Sequence, residues 1–317
     1  MRTVGIDLGG TNVYSVVLDG DIVVGRAKRK TPGKGGRDAV VEALLRAARE
    51  AVEAAGLDVA DVEAVGVGSP GVVIDGTVGG GPNVPGFHER FDLAERLRGP
   101  LELPVRIAND VTAGAVGEHR LGGGRGTDDL LCVFAGTGVG GGLILRGRPF
   151  EGSHGGAGEL GHMIVRQGDE VCPCGRRGCV EAYAGRRAME LAAERSRAAG
   201  SPTLLFDVMA DKGKSQATSG VFRTAFESGD RVVADLLEQA AHVLAAGIAS
   251  AVNLLDLERV VLGGGLADKL GAPFRRWVDA ALQPLLFLQP PRIDLVAAEL
   301  GDEGGAIGAA LLAREHG

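Results

Sequence analysis

The chain has 317 residues, 45 % apolar and 24 % charged, which is the balance of a folded protein of one large or two modest domains. Its net charge of -7 offers no basic surplus for general binding to nucleic acid or an anionic membrane. The 53 glycines imply many tight turns and close backbone approaches, as phosphate-binding folds require.

The N-terminus reads as a strand, Thr3–Leu8, a Gly-Gly-Thr turn, a second strand, Val13–Leu18, an Asp19-Gly20 hairpin turn and a third strand. No charged segment followed by a long apolar run precedes Val4, so no cleavable signal is expected. Helical spacing of apolar residues runs from about Arg37 to Ala55, with Gly56 as its C-cap. Strands follow at Val62–Gly68 and Val105–Ala108, then a helix at Val111–His119. The opening pattern then recurs: strand Leu130–Ala135, turn Gly136-Thr137-Gly138, strand Gly141–Leu145, turn Arg146-Gly147. This reads as an internal duplication, and two such halves facing each other would bring both glycine turns to one cleft. A long helix spans Asp230–Leu255, a buried strand Arg259–Leu262 runs into Gly263-Gly264-Gly265, and a last helix starts near Gly304. The apolar stretches read as too short or too interrupted to span a bilayer. The domains are expected at 1–115, joined by 304–317, and at 116–303.

Gly66–Gly71 and Gly136–Gly141 both fit the spacing G-x-G-x-x-G, but a dinucleotide fingerprint must open a helix. Here both run into hairpin-like sequence, and the Walker A ending Gly-Lys-Ser/Thr is absent. Asp7-Leu8-Gly9-Gly10-Thr11 fits another geometry, a turn between strands whose N–H groups point at a phosphate. Thr11 adds a hydroxyl, Asp7 can orient a hydrated Mg²⁺, and Gly136-Thr137-Gly138 offers the same chemistry from the second half.

Three of the four cysteines crowd into Cys172-Pro-Cys174-Gly-Arg-Arg-Gly-Cys179, behind Glu159-Leu-Gly-His162. Three thiolates and an imidazole match a closed, structural Cys₃His zinc site, with buried free thiols or a disulfide as the alternatives. Cys132, inside an apolar strand, reads as core. His242 reads as structural and His154 as a solvated loop residue. Arg176, Arg177, Arg186 and Arg187 read as a solvated face, with phosphate contact the lesser alternative.

In this order, Asp7–Thr11, Gly66–Gly71, Pro82-Asn83-Val-Pro-Gly86, Asn109-Asp110, Ala135–Gly138, Glu159–His162 and Cys172–Glu181 resemble the ROK family of bacterial sugar kinases and repressors. Within it the pattern is most similar to the ATP-dependent glucokinases. The resemblance implies an α/β fold of duplicated actin-like (ribonuclease H-like) domains with an interdomain cleft. It implies Asp110 as general base and Gly71, Asn83, Asn109, Asp110, Glu159, His162 and Glu181 around the sugar. His162 would use one ring nitrogen for Zn²⁺, together with Cys172, Cys174 and Cys179, and turn the other to the sugar. ATP and Mg²⁺ would lie on Asp7, Gly9, Gly10, Thr11, Asn12, Gly136, Thr137, Gly138 and the turn Gly263, Gly264, Gly265. Asp256-Leu for the usual Asp-Pro, and Phe87 for a frequent tryptophan, depart from the pattern.

The resemblance therefore implies a cytoplasmic kinase placing the γ-phosphoryl group on the 6-hydroxyl of glucose, working as a homodimer or homotetramer. Other hexoses and N-acetylhexosamines (N-acetylmannosamine, N-acetylglucosamine, fructose, allose) remain open as acceptors, and polyphosphate as donor. A sugar-responsive repressor of the same family would need a helix-turn-helix ahead of Asp7, and with Asp7 seventh in the sequence no room for one is expected.

Overall fold

Val4, Ile6 and Leu8 alternate with Thr3 and Gly5 along β1 (Arg2–Leu8), and both sets are buried, as in a strand covered on both faces. The computed structural model describes residues 1–81 and 84–316, so the expected sugar ligand Asn83 lies outside the described residues. β2 (Asn12–Asp19) returns antiparallel to β1, and β3 (Ile22–Lys30) follows the Asp19-Gly20 turn, where Gly20 takes φ 56°. The helix α1 (Gly36–Ala54) leads to β4 (Ala64–Ser69), which lies parallel to β1. A small antiparallel sheet of β5 (Val72–Ile74), β6 (Thr77–Gly79) and β7 (Phe91–Asp92) comes next, with α2 (Leu93–Leu101) behind it. Parallel β8 (Val105–Asn109) completes a five-stranded sheet of order β3-β2-β1-β4-β8, and α3 (Asp110–Leu121) leaves from its end. Apolar residues of α1 and α2, among them Val40, Leu44, Leu93 and Leu97, share one core with Val4, Ile6, Val65 and Val67.

The second sheet repeats the first. β9 (Leu130–Ala135), β10 (Val139–Leu145) and β11 (Arg148–Pro149) are followed by a loop region and the helices α4 (Glu181–Ala184), α5 (Arg186–Ala198), α6 (Leu205–Asp211), α7 (Ser219–Glu227) and α8 (Arg231–Leu255). β12 (Arg259–Gly263), α9 (Gly265–Leu282), β13 (Asp294–Ala297) and α10 (Gly304–Ala313) close the chain. The order β11-β10-β9-β12-β13 matches β3-β2-β1-β4-β8 position for position, with β12 parallel to both β9 and β13. The duplication inferred from the recurring strand–turn–strand pattern is thus a duplication of topology. β10 begins at Val139 rather than at Gly141, so the turn after β9 is shorter than expected.

Two differences from expectation concern α8 and the division of the chain. At 25 residues, α8 is long and apolar enough by composition to cross a membrane, against the expectation that no stretch is. Its Val233, Leu237, Val243, Leu244 and Ile248 are buried in the protein core. Two compact units are formed, Met1–Asp128 with Gly142–Gly158 and Glu299–Gly317, and Asp129–Gly141 with Glu159–Ala298. The first therefore extends beyond the expected 1–115 and 304–317. The reason lies in α3, whose second half packs on α10 and cannot be parted from it.

Glycine makes that packing possible. An added Cβ at Gly5 of β1 would sit 1.8 Å from the carbonyl oxygen of Ala306, and one at Gly66 of β4 1.9 Å from that of Ala309. At Gly308 the clash would be with the carbonyl of Ala113 in α3, at 1.6 Å. These three positions let α10 lie directly on the sheet and on α3, backbone to backbone. Gly308→Val is expected to cost on the order of 3 kcal/mol or more in urea unfolding, through overpacking against main chain that cannot yield.

Candidate active site

The first unit gathers its polar groups at the carboxyl ends of three neighbouring parallel strands, the usual place for ligand chemistry in α/β sheets. Asp7 near the end of β1 is in register with Gly68 of β4, and Ser69 with Asn109 of β8. A Cβ at Gly68 would lie 3.3 Å from the Cα of Asp110 and 3.7 Å from Oδ1 of Asp7. Gly68 therefore leaves room where the Asp7 carboxylate meets the start of α3, a role the sequence did not disclose.

Asn109 and Asp110 divide two tasks. The Asn109 Oδ1 caps α3, accepting the N–H of Val111 at 2.9 Å and of Thr112 at 3.2 Å. Its Nδ2 donates to the carbonyl of Gly71 at 3.1 Å, which ties the start of α3 to the turn before β5. Asp110 is the first residue of the helix rather than its cap, and its Oδ1 accepts the Val111 N–H at 3.0 Å. The capping duty that could have explained an aspartate here thus belongs to its neighbour.

The loop after β1 is held from below. Gly9 N–H donates to the Asn12 carbonyl at 2.9 Å, and Thr31 reaches over to the Gly9 carbonyl through its hydroxyl at 2.6 Å. Gly10 and Thr11 stay exposed at the tip. Burial, and then the charges of Asp110 and Asp302, push Asp7 up to about 7. Asp302 is itself held by the Tyr14 hydroxyl at 2.8 Å, and the start of α10 at Gly305 packs against the Asp7 carboxyl. The buried Asn12 Oδ1 has no hydrogen-bond partner. A raised carboxylate and an orphaned amide oxygen on the two sides of one loop suit a hydrated cation, whose waters donate to both.

In the second unit the corresponding strand ends are those of β9 and β12. Gly263 pairs with Phe134, and Gly264, at φ 86°, packs on the backbone of Ala135, where a Cβ would approach the carbonyl to 2.6 Å. The two glycine turns expected to hold the nucleotide, Gly136–Gly138 and Gly263–Gly265, therefore emerge side by side. Neither G-x-G-x-x-G segment opens a helix: Gly141 lies within β10, and Gly71 leads into β5. Glu181 packs against the first of these turns, its Oε2 accepting the Val139 N–H at 2.8 Å beside Gly138. Gly161 lies against the carbonyl of Val139, where a Cβ would come within 2.0 Å, so the Glu159–His162 turn rests on the same strand.

Below that turn sits the thiol cluster. One ligand atom each from His162, Cys172, Cys174 and Cys179 lies within 4.8 Å of the others. His162 Nδ1 is 3.7 Å from the Cys172 sulfur, and the Cys174 and Cys179 sulfurs are 3.8 Å apart. A tetrahedral ion with bonds of about 2.3 Å to sulfur has S···S edges of about 3.8 Å. The cysteines are free thiols, with Cys172 and Cys179 buried and Cys174 exposed. Burial pushes the Cys172 thiol up to about 12 and also raises Cys179, whereas hydrogen bonds from the Arg176 backbone and the two other thiols outweigh burial and lower Cys174 to about 7. Bringing further thiolates into this space calls for a cation. Gly175 and Gly178, at φ 86° and 83°, shape the knuckle, and a Cβ at Gly178 would strike the Arg166 carbonyl at 1.7 Å. His162 Nε2 points away from the sulfurs and lies 4.0 Å from the Glu159 carboxylate.

Of the remaining expectations, Cys132 is buried in β9, and His154 and His242 are exposed. Arg176, Arg177 and Arg187 are exposed, as a solvated face requires. Arg186 departs from that face: it is half-buried, and its guanidinium donates to the Thr137 hydroxyl at 2.7 Å.

The profile of the ROK family matches residues 3–316. The chain belongs to the ROK family. A ROK relative, the glucokinase of Streptomyces coelicolor, is 32 % identical over 99 % of this chain and 98 % of its own length. An N-acetylmannosamine kinase of Escherichia coli O157:H7 is also 32 % identical, over 99 % of both chains. A solved ROK glucokinase from Streptomyces griseus, in complex with glucose and AMPPNP, matches with a TM-score of 0.83 at 32 % identity, covering 99 % of this chain and 100 % of that one. The duplicated sheets are those of the actin-like ATPase fold shared by such ROK kinases.

Proposed function

We propose that the protein is a cytoplasmic sugar kinase that transfers the γ-phosphoryl group of ATP to the 6-hydroxyl of glucose. The observation that carries this reading is the pair Asn109 and Asp110: the amide caps α3, and the adjacent carboxylate, which also accepts the Val111 N–H, stands at the helix start beside Asp7. A sugar hydroxyl is a poor nucleophile, and Asp110 accepts its proton as the oxygen–phosphorus bond forms. Asn109 fixes the start of α3 against Gly71 and so holds Asp110 in place. The remaining work is positioning and charge stabilisation. Backbone N–H groups of Gly9–Thr11 and Gly136–Gly138 receive the phosphates, and Gly263–Gly265 receives the adenosine. Asp7 and Asn12 would hold a hydrated Mg²⁺, which neutralises charge building on the phosphoryl oxygens. Glu159, His162 and Glu181 take the sugar hydroxyls. Zn²⁺ on His162, Cys172, Cys174 and Cys179 would fill its four positions with protein ligands, which makes it a brace rather than a reactant.

The N-acetylmannosamine kinase among the relatives supports an N-acetylhexosamine as the second acceptor class. Coupled ADP release across hexoses and N-acetylhexosamines separates the two. Glucose is expected to give the highest kcat/KM with ATP as donor. A better N-acetylhexosamine would transfer the proposal to that substrate; ADP release indifferent to every sugar would remove the kinase reading altogether.

A further inference from the structure

We propose that Arg186 is a phosphate-facing residue of the second glycine loop, holding Thr137 with one arm of its guanidinium and the donor's phosphoryl oxygens with the rest. This rests on the reading of Gly136–Gly138 as a phosphate loop.

The loop and α5 are built as one piece. The Arg186 N–H donates to the Gly136 carbonyl at 3.1 Å, and the Arg187 N–H to the Thr137 carbonyl at 3.4 Å. A Cβ at Gly185, just before α5, would lie 3.2 Å from the same Thr137 carbonyl. The first residue of a 13-residue helix is thus fastened to the turn that should meet phosphate. From there the Arg186 side chain folds back, and its Nη2 reaches the Thr137 Oγ1 at 2.7 Å. Its Nε is buried and has no hydrogen-bond partner.

Among the described residues Arg186 forms no ion pair. Glu190 is the acid that favours its charge, yet the Glu190 carboxylate already accepts from Arg187 at 3.2 Å and from the Ala217 N–H at 3.2 Å. Burial works against the charge and lowers the group from its ordinary value. A half-buried guanidinium with an idle donor, bonded to the hydroxyl of a glycine turn, awaits an anion. A planar fork of N–H donors fits phosphate oxygens better than a point charge does. Arg197, in the last turn of the same helix, is exposed and stacked on the Phe206 ring, and so serves as the matched control.

The test measures affinity for Mg·ATP and for adenosine, together with kcat and KM, in the wild type, Arg186→Gln, Arg186→Lys and Arg197→Gln. Arg186→Gln is expected to weaken Mg·ATP on the order of 10- to 100-fold, as loss of charge-assisted bonds would, while adenosine binding stays within about twofold. Arg186→Lys should recover part of the loss, and Arg197→Gln should match the wild type. If adenosine and Mg·ATP weaken together in Arg186→Gln, the residue merely shapes the loop and the proposal falls. Unchanged Mg·ATP affinity in Arg186→Gln would overturn it equally, with the kinase reading intact. A folded wild type that binds no Mg·ATP would overturn both.

Discussion

Asp110→Asn is expected to lower kcat by about 10²- to 10⁴-fold, the range for removing a general base, with the KM for sugar changed only a few-fold. The amide keeps the size of the carboxylate and can still accept the Val111 N–H that Asp110 accepts now. The fold should therefore survive, because the cap of α3 belongs to Asn109. What is lost is the ability to take a proton from the hydroxyl that attacks phosphorus. Coupled ADP release, with a thermal melt to show that the variant is folded, reads this directly. Near-normal turnover in a folded Asp110→Asn protein would end the role assigned to this residue. Asn109→Ala separates capping from chemistry. It should cost about 1 kcal/mol of stability as a lost N-cap, and it also releases the tether to Gly71.

Removing the metal is expected to act on the sugar before it acts on phosphoryl transfer. His162 presents Nδ1 to the sulfurs and Nε2 toward Glu159, so an ion on the first nitrogen fixes the direction of the second. Cys179 stands two residues before Glu181, whose carboxylate is bound to the Val139 N–H. Cys179→Ser, or prolonged chelation, should remove stoichiometric zinc and weaken sugar binding on the order of 10- to 100-fold. Mg·ATP affinity should change far less. Zinc content by elemental analysis and sugar binding by calorimetry are the readouts, and neither depends on turnover. Full sugar affinity in the metal-free protein would show that the cluster does not position the sugar ligands.

The parts of this molecule that were legible in sequence are those built from local pattern. The strand–turn–strand repeat, the helices flanking Gly56 and beginning near Gly304, and the cysteine knuckle each declare themselves within about a dozen residues. Their boundaries shift by one or two positions, as at β10, which begins at Val139, where the N–H is held by the distant Glu181. What stayed hidden depends on partners far along the chain. Asp302 meets Tyr14 across 288 positions, and the buried Glu118 accepts the N–H groups of Glu299 and Leu300 at 2.9–3.1 Å from 181 and 182 positions away. Arg186 looked like one of four surface arginines, because the burial that sets it apart arises only when α5 docks on the Thr137 turn. Gly68 and Gly308 were two glycines among 53, and only their neighbours show what a side chain there would obstruct. The edge strand β13 is half exposed and lacks the clean alternation that would have announced it.

The return of α10 to the first sheet has a consequence for how the protein is made. The ribosome delivers β1 and β4 early, yet the helix that covers Gly5 and Gly66 emerges only after the whole second unit, which ends at Ala298. Domains usually fold in the order of synthesis, and here that order is inverted. The later-encoded unit has all its residues first, while the earlier one waits with an uncovered sheet face for the last turns of the chain. A nascent chain arrested before Gly304 should therefore shield the second half from protease while the first is still cut.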